Sequence, residues 1–139
     1  MKKVLVVSHG TLAEGVIEAA KVILGEIVEV QSCCLKAGVG IKEFEIKVSE
    51  IVKQFKSGDN IVVLADLKGG SPYRATITAL SENDLLSEAI ILTGVNLPML
   101  INVVMKDEIL YGDVDEVIKE SKSGIDKFKL ETTNEDDEL

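Results

Sequence analysis

Residues 61–72 read Ile-Val-Val-Leu-Ala-Asp-Leu-Lys-Gly-Gly-Ser-Pro. Five consecutive apolar residues, three of them β-branched, then an acidic residue and a glycine pair, describe a strand buried on both faces that ends in a turn. Ser71 fits a helix N-cap and Pro72 the first helical position, so a helix to about Leu80 is expected next. A buried strand followed at once by a helix is the unit of a parallel sheet.

The same alternation extends in both directions. Val4 to Ser8 is a second apolar run, closed by His9-Gly10; Thr11 and Glu14 have capping-box spacing ahead of a helix to Leu24, and Gly25 suits its end. Val28 to Leu35 reads as a strand. Ile41, Phe44, Val48, Ile51 and Phe55 recur at helical spacing, which predicts an amphipathic helix over 41–56, and 57–60 (Ser-Gly-Asp-Asn) is a turn. Ala89 to Leu92 is a fourth strand ending at Thr93-Gly94. Asn96 and Pro98 open a helix to about Met105, and Asp113 and Glu116 one to about Lys122. After Gly124, Ile125 to Leu130 alternates apolar with charged residues, the pattern of a weak late edge strand. Four strand–helix alternations predict an α/β fold: an open, mainly parallel sheet with helices on both faces.

Composition agrees. The chain has 139 residues, the size of one compact domain, with 46% hydrophobic and 28% charged residues and no Trp, so its core is built from aliphatic side chains. A single domain over residues 1–130 and an acidic, disordered tail over 131–139 are expected. The net charge is −9, and the tail carries five of the 24 acidic residues; without them 15 cations face 19 carboxylates. Such a surface offers no attraction for nucleic acid or an anionic membrane. Met1-Lys2-Lys3 leads into a strand-like run rather than a signal peptide, and no run of about 20 apolar residues is present, so a cytoplasmic location is expected. Cys33 and Cys34 are adjacent on a strand, point to opposite faces and are read as reduced.

Three strands end in polar or glycine-rich turns: Ser8-His9-Gly10, 66–71 and 93–96. In open parallel sheets ligands bind beyond the carboxyl ends of the strands. His9, the only histidine, stands at such an end between small residues. It is either a nucleophile or a residue satisfying loop hydrogen bonds; imidazole is a competent nucleophile near neutral pH. Asp66 could hold one ring nitrogen as N–H and leave the other free to attack, or it could simply cap the Gly69-Gly70 turn. The amides of Gly69 and Gly70 and the Ser71 hydroxyl could receive a phosphoryl oxygen at a helix N-terminus, though the same residues make an ordinary capped turn. One histidine and two adjacent cysteines match no usual zinc set, and no phosphate-loop or dinucleotide fingerprint is present, so neither metal nor cofactor is expected.

The segments Val-Ser-His-Gly-Thr-Leu-Ala-Glu-Gly at 7–15, Asp-Leu-Lys-Gly-Gly-Ser-Pro at 66–72 and Thr-Gly-Val-Asn-Leu-Pro-Met-Leu at 93–100 resemble, in order and spacing, the three signature segments of the mannose-type EIIA family of the sugar phosphotransferase system. The resemblance covers about residues 1–130. It implies that His9 is phosphorylated by the phosphocarrier HPr and passes its phosphoryl group to the EIIB component, which serves the membrane EIIC and EIID components. It also implies that Asp66 bonds to the histidine, that Ser71 lines the pocket with Gly10, Thr11, Gly69 and Gly70 as further phosphate-binding residues, and that a final strand is exchanged in a homodimer. Lys68 stands where an apolar or aromatic residue is usual, and Arg74 where a small or amide residue is usual. No Ala/Pro-rich linker follows, so a free-standing subunit is expected. Three other readings compete. A phosphotransfer subunit feeding dihydroxyacetone kinase shares the fold, but Gly-Gly-Ser-Pro and Asn-Leu-Pro-Met favour the sugar branch. A receiver phosphorylated on Asp66 would need an acidic cluster where Ser8-His9 stands. A regulatory module would use phosphorylation only as a signal.

Overall fold

The computed structural model describes residues 1–131; the order expected of the acidic tail concerns residues that lie, from 132 onward, outside the described part. In chain order the elements are β1 (Lys2–His9), α1 (Leu12–Leu24), β2 (Val30–Leu35), α2 (Ile41–Val52), β3 (Asn60–Ala65), α3 (Ser71–Glu82), β4 (Ala89–Thr93), α4 (Leu97–Met105) and α5 (Val114–Ser123), with single 3-10 turns at Leu86–Glu88 and Tyr111–Asp113. The four strands form one parallel sheet in the order β2-β1-β3-β4. The expected α/β class and helices on both faces are what the chain adopts.

The two continuous apolar runs occupy the centre because only central strands of a parallel sheet are buried on both faces. Alternate residues of each run then feed opposite cores. Leu5, Val7, Ile61 and Val63 pack with Phe44, Val48 and Val52 of α2 and Ala75, Ala79 and Leu80 of α3. Val4, Val6, Val62 and Leu64 pack with Ala13, Ile17 and Ala20 of α1, Leu100 and Val103 of α4 and Val117 of α5. From β1 the chain steps to one side to make β2, then crosses back to place β3 on the other side of β1. The direction of strand order therefore reverses between β1 and β3. That reversal opens a crevice at their carboxyl ends, where His9 and Asp66 stand.

Several local expectations are corrected. Thr11 occupies the N-cap position of α1 but makes no side-chain cap bond, so the capping box with Glu14 does not form. Instead the buried Ser8 hydroxyl accepts the amide of Ala13 at 2.8 Å. Gly70, not Ser71, is the N-cap of α3; Ser71 is already helical and gives no cap bond. Helix α2 stops at Val52, with Phe55 reaching the core from the following turn. Strand β2 begins at Val30 because Glu29 has φ 64°, outside the extended region. Asn96 does cap α4, accepting from the Met99 amide at 2.9 Å.

Ile125 to Leu130 is not a strand; Ile125, Phe128 and Leu130 are 77%, 87% and 73% exposed. An edge strand needs a neighbour for its backbone groups, and among the described residues none pairs with this segment. It leaves α5 beside the N-terminus of α4: Asn96 donates to the Ser121 carbonyl at 2.9 Å, and a Cβ on Gly124 would stand 3.3 Å from Pro98 Cγ. The segment thus emerges at the carboxyl edge of the sheet.

Both cysteines are free. Cys33 faces the α2/α3 core and Cys34 packs against the α1/α4 core, as strand alternation requires. Burial pushes the Cys33 thiol up from 9.0 to about 11. A thiol held protonated in the fold but free to ionise when unfolded stabilises the native state fully below pH 9; that contribution shrinks as pH climbs toward 11. The melting temperature is therefore expected to fall over this range, and to fall less in Cys33→Ala once that variant's lower baseline is subtracted. Parallel pH profiles for the two proteins would dispose of the assignment.

Candidate active site

The carboxyl ends of β1 and β3 are joined by a side chain where main-chain pairing runs out. Val7 is paired with Ala65, and the Asp66 amide still reaches the Val7 carbonyl at 3.2 Å. Beyond that point β3 turns away, and the His9 amide has no carbonyl opposite on that side. Asp66 replaces it: Oδ2 accepts the His9 amide at 2.9 Å and faces the ring Nδ1, also at 2.9 Å. One carboxylate oxygen therefore fixes the backbone and the imidazole of the same residue. A carboxylate beside Nδ1 holds the proton on that nitrogen, so Nε2 keeps its lone pair. The ring is 45% exposed and the carboxylate 14%. Asp66 Oδ1 is buried with no protein hydrogen-bond partner among the described residues.

The ring lies against the start of α3. A Cβ added at Gly70 would stand 2.8 Å from His9 Cε1 and 3.5 Å from Nε2, and 3.3 Å from the Leu67 carbonyl. The backbone at Gly70 is ordinary, with φ −73° and ψ 167°; glycine is needed there for space, taken mainly by the imidazole and also by the Leu67 carbonyl. Gly69, by contrast, has φ 80° and needs glycine for its left-handed turn.

The donors expected around the site divide into free and committed groups. The Gly10 amide is used by the Leu35 carbonyl at 2.8 Å and the Gly70 amide by the Leu67 carbonyl at 3.1 Å. Neither is free for an oxyanion, contrary to the expectation that the Gly70 amide would receive a phosphoryl oxygen and that Gly10 would bind phosphate as well. Gly10 contributes conformation instead: its φ of 57° turns the chain from β1 into α1. The first amides of a helix lack intrahelical acceptors, and Pro72 has none to offer, so Ser71 and Tyr73 supply the free N–H groups of α3. With no cap bond, the half-buried Ser71 hydroxyl is also uncommitted. Thr11 is exposed beside His9. The third polar turn meets the same edge, with the Val95 amide on the Ala65 carbonyl at 3.0 Å. Asn96, however, spends its amide on Met99 and Ser121 and delivers no group to the ring.

Sequence reasoning missed the part played by Ser8. Its hydroxyl spans from β1 to the first turn of α1, and also points to Cys34 Sγ at 3.9 Å. A serine five residues before a helical amide is no capping pattern; only the turn at Gly10 makes the reach possible. Leu12 and Leu67, 47% and 57% exposed, follow the carboxyl ends of β1 and β3 at the same edge of the sheet. Two surface grooves, one of about 400 Å³ between α2 and α3 and another of about 300 Å³ beside β2, lie away from the histidine. With its ring 45% exposed, the histidine is open to solvent. Among the described residues no cluster of three or more metal-ligating side chains occurs, and no helix is long and apolar enough to cross a membrane.

A family model described as PTS system fructose IIA component matches residues 3–121. The PTS fructose-specific EIIA component of Bacillus subtilis is 28% identical over 104 residues, covering 75% of this chain and 69% of the relative. Among solved structures, phosphotransferase system component EIIA from Streptococcus agalactiae is 30% identical with a TM-score of 0.76, over 91% of this chain and 97% of that one. The mannose/sorbose-specific IIA subunit from Enterococcus faecalis is 25% identical with a TM-score of 0.81, over 96% of this chain and all (100%) of that one.

The packing of Gly70 on the imidazole gives a direct expectation. Gly70→Ala should fold, because the backbone there suits alanine, but the ring must move. The ¹⁵N shifts of His9 should show a changed tautomer balance and loss of the Asp66 bond. Unchanged ring shifts would mean that the contact does not hold the ring.

Proposed function

The chain belongs to the EIIA-man family of sugar phosphotransferase components, and from that premise we propose that it is a phosphocarrier that accepts a phosphoryl group from phospho-HPr on His9 Nε2 and passes it to an EIIB component. The observation that carries this reading is the His9–Asp66 pair, with Nδ1 held at 2.9 Å and the other ring edge exposed beside the start of α3. The lone pair of Nε2 attacks phosphorus in line as the donor nitrogen takes back its electron pair. The Nδ1 proton stays on the Asp66 side and disperses the charge that develops on the ring. A loose phosphoryl-transfer transition state needs mainly positioning and donors for its oxygens. The free amides of Ser71 and Tyr73, the Ser71 hydroxyl and the α3 dipole supply these, and Thr11 borders the other side.

The open setting of His9 suits a group handed between proteins. The apolar pair Leu12 and Leu67 offers a contact that two different partner faces could use in turn. EIIC and EIID would be served indirectly, through EIIB, in the cytoplasm, with residues 1–130 acting as one domain and no bound metal or cofactor taking part.

Incubation with enzyme I, HPr and phosphoenolpyruvate should label His9 alone, with acid-labile, alkali-stable phosphate. His9→Ala should keep its fold and accept none. Asp66→Asn should fold and transfer much more slowly, because an amide can turn its NH2 toward Nδ1 and favour the wrong tautomer. Full labelling of the His9→Ala chain would sink the proposal.

The same reading includes a homodimer in which Ile125 to Leu130 pairs with a partner's sheet edge. The segment exposes three large apolar side chains, and β4, at one end of the sheet, has an unpaired outer edge among the described residues. Exchange of such an element is a low-cost route to a twofold dimer. Sedimentation should find a dimer at micromolar concentration, and truncation after Ser123 should give a monomer or a markedly lower melting temperature. A truncated chain that remains dimeric with an unchanged melting temperature would refute the exchange.

A further inference from the structure

Helix α3 carries a positive charge one turn beyond the glycine that packs on the same ring. Gly70 lies against the Cε1–Nε2 edge of His9. Arg74 stands one helical turn further on, and its amide donates to the Gly70 carbonyl at 3.0 Å. It is therefore on the same side of the helix, about 6 Å along the axis. Helical side chains lean toward the N-terminus, which carries the long Arg74 side chain back toward Gly70 and the exposed ring edge.

Arg74 is exposed, and among the described residues it forms no salt bridge. A cation in the first turn of a helix opposes the helix dipole, so the fold gains nothing from its charge at this position. Lys68, exposed in the preceding loop, adds a second cation but lies outside the helix and off this line.

We propose, resting on the reading of His9 as the phosphoryl acceptor, that Arg74 is a further catalytic residue whose guanidinium contacts the phosphoryl oxygens during transfer to and from Nε2. The bonds exchanged are the donor nitrogen–phosphorus bond, which breaks with its pair returning to the donor, and the Nε2–phosphorus bond, formed from the ring lone pair. The three equatorial oxygens keep their negative charge throughout, and a planar guanidinium can bond two of them at once. No proton leaves Arg74 and no co-reactant is needed. Ser71 and Tyr73 amides approach the group from the helix end, while Arg74 approaches from its side.

The test compares wild type, Arg74→Gln and Arg74→Lys by rapid-quench phosphorylation over a range of phospho-HPr concentrations, with ³¹P spectra of each phosphorylated chain. Arg74→Gln should melt at the same or a higher temperature and lose on the order of tenfold or more in maximal rate. Arg74→Lys should fall between the two, and the ³¹P shift of the phosphorylated group should differ between wild type and Arg74→Gln. An Arg74→Gln chain with the wild-type maximal rate and ³¹P shift, changed only in KM, would overturn the proposal and leave Arg74 as a docking charge. A wild-type chain that takes no phosphate on His9 would instead overturn the reading on which it rests.

Discussion

The site depends on the bond between Asp66 Oδ2 and both hydrogen-bonding groups of His9. That oxygen can serve the main-chain amide and the ring together only because β1 and β3 are adjacent parallel strands in one register, with Val7 opposite Ala65. Each strand contributes the first residue past its fully buried run, Ser8 being the buried residue before His9 and Ala65 the one before Asp66. The register is set by the buried runs, since a slip of one residue would turn every core side chain to the wrong face. The two cores and the His9–Asp66 pair are therefore held by a single alignment.

The rest of the site is arranged around that pair by groups whose own hydrogen-bonding capacity is already spent. Gly10 bonds to Leu35, Gly70 to Leu67, Ser8 to Ala13 and Asn96 to α4 and α5. These bonds fix three turns at one edge of the sheet, and leave uncommitted the groups at the start of α3 and the exposed nitrogen of the ring. Rigidity of this kind lets a site open to solvent hold a reactive group in one orientation.

Several exposed features lie at that edge. Leu12 and Leu67, the cations Lys68 and Arg74, and the exit of residues 125–130 share the end of the sheet that carries the histidine. The opposite distribution of charge over the chain as a whole, net −9, makes these two cations a local exception rather than a reflection of composition.

Two periodicities were enough to read the architecture from the sequence: continuous apolar runs for central strands, and helical spacing between them. Handedness of the crossovers then leaves few topologies for such an order of elements. His9 and Asp66 were legible for the same reason, each being the first polar residue past a buried run. Hydrogen-bond partners were not legible, because they depend on which groups meet in space. Thr11 with Glu14 has the spacing of a cap, yet Ser8 makes the bond; Ser71 looks like the cap of α3, yet Gly70 holds that position. A turn at positive φ, as at Gly10, redirects the chain by more than a local pattern encodes. Likewise the need for glycine at Gly70 comes mainly from an imidazole 61 residues away in the chain. Residues 125–130 show the same division: their alternation reads as a strand, but a strand exists only where another backbone pairs with it.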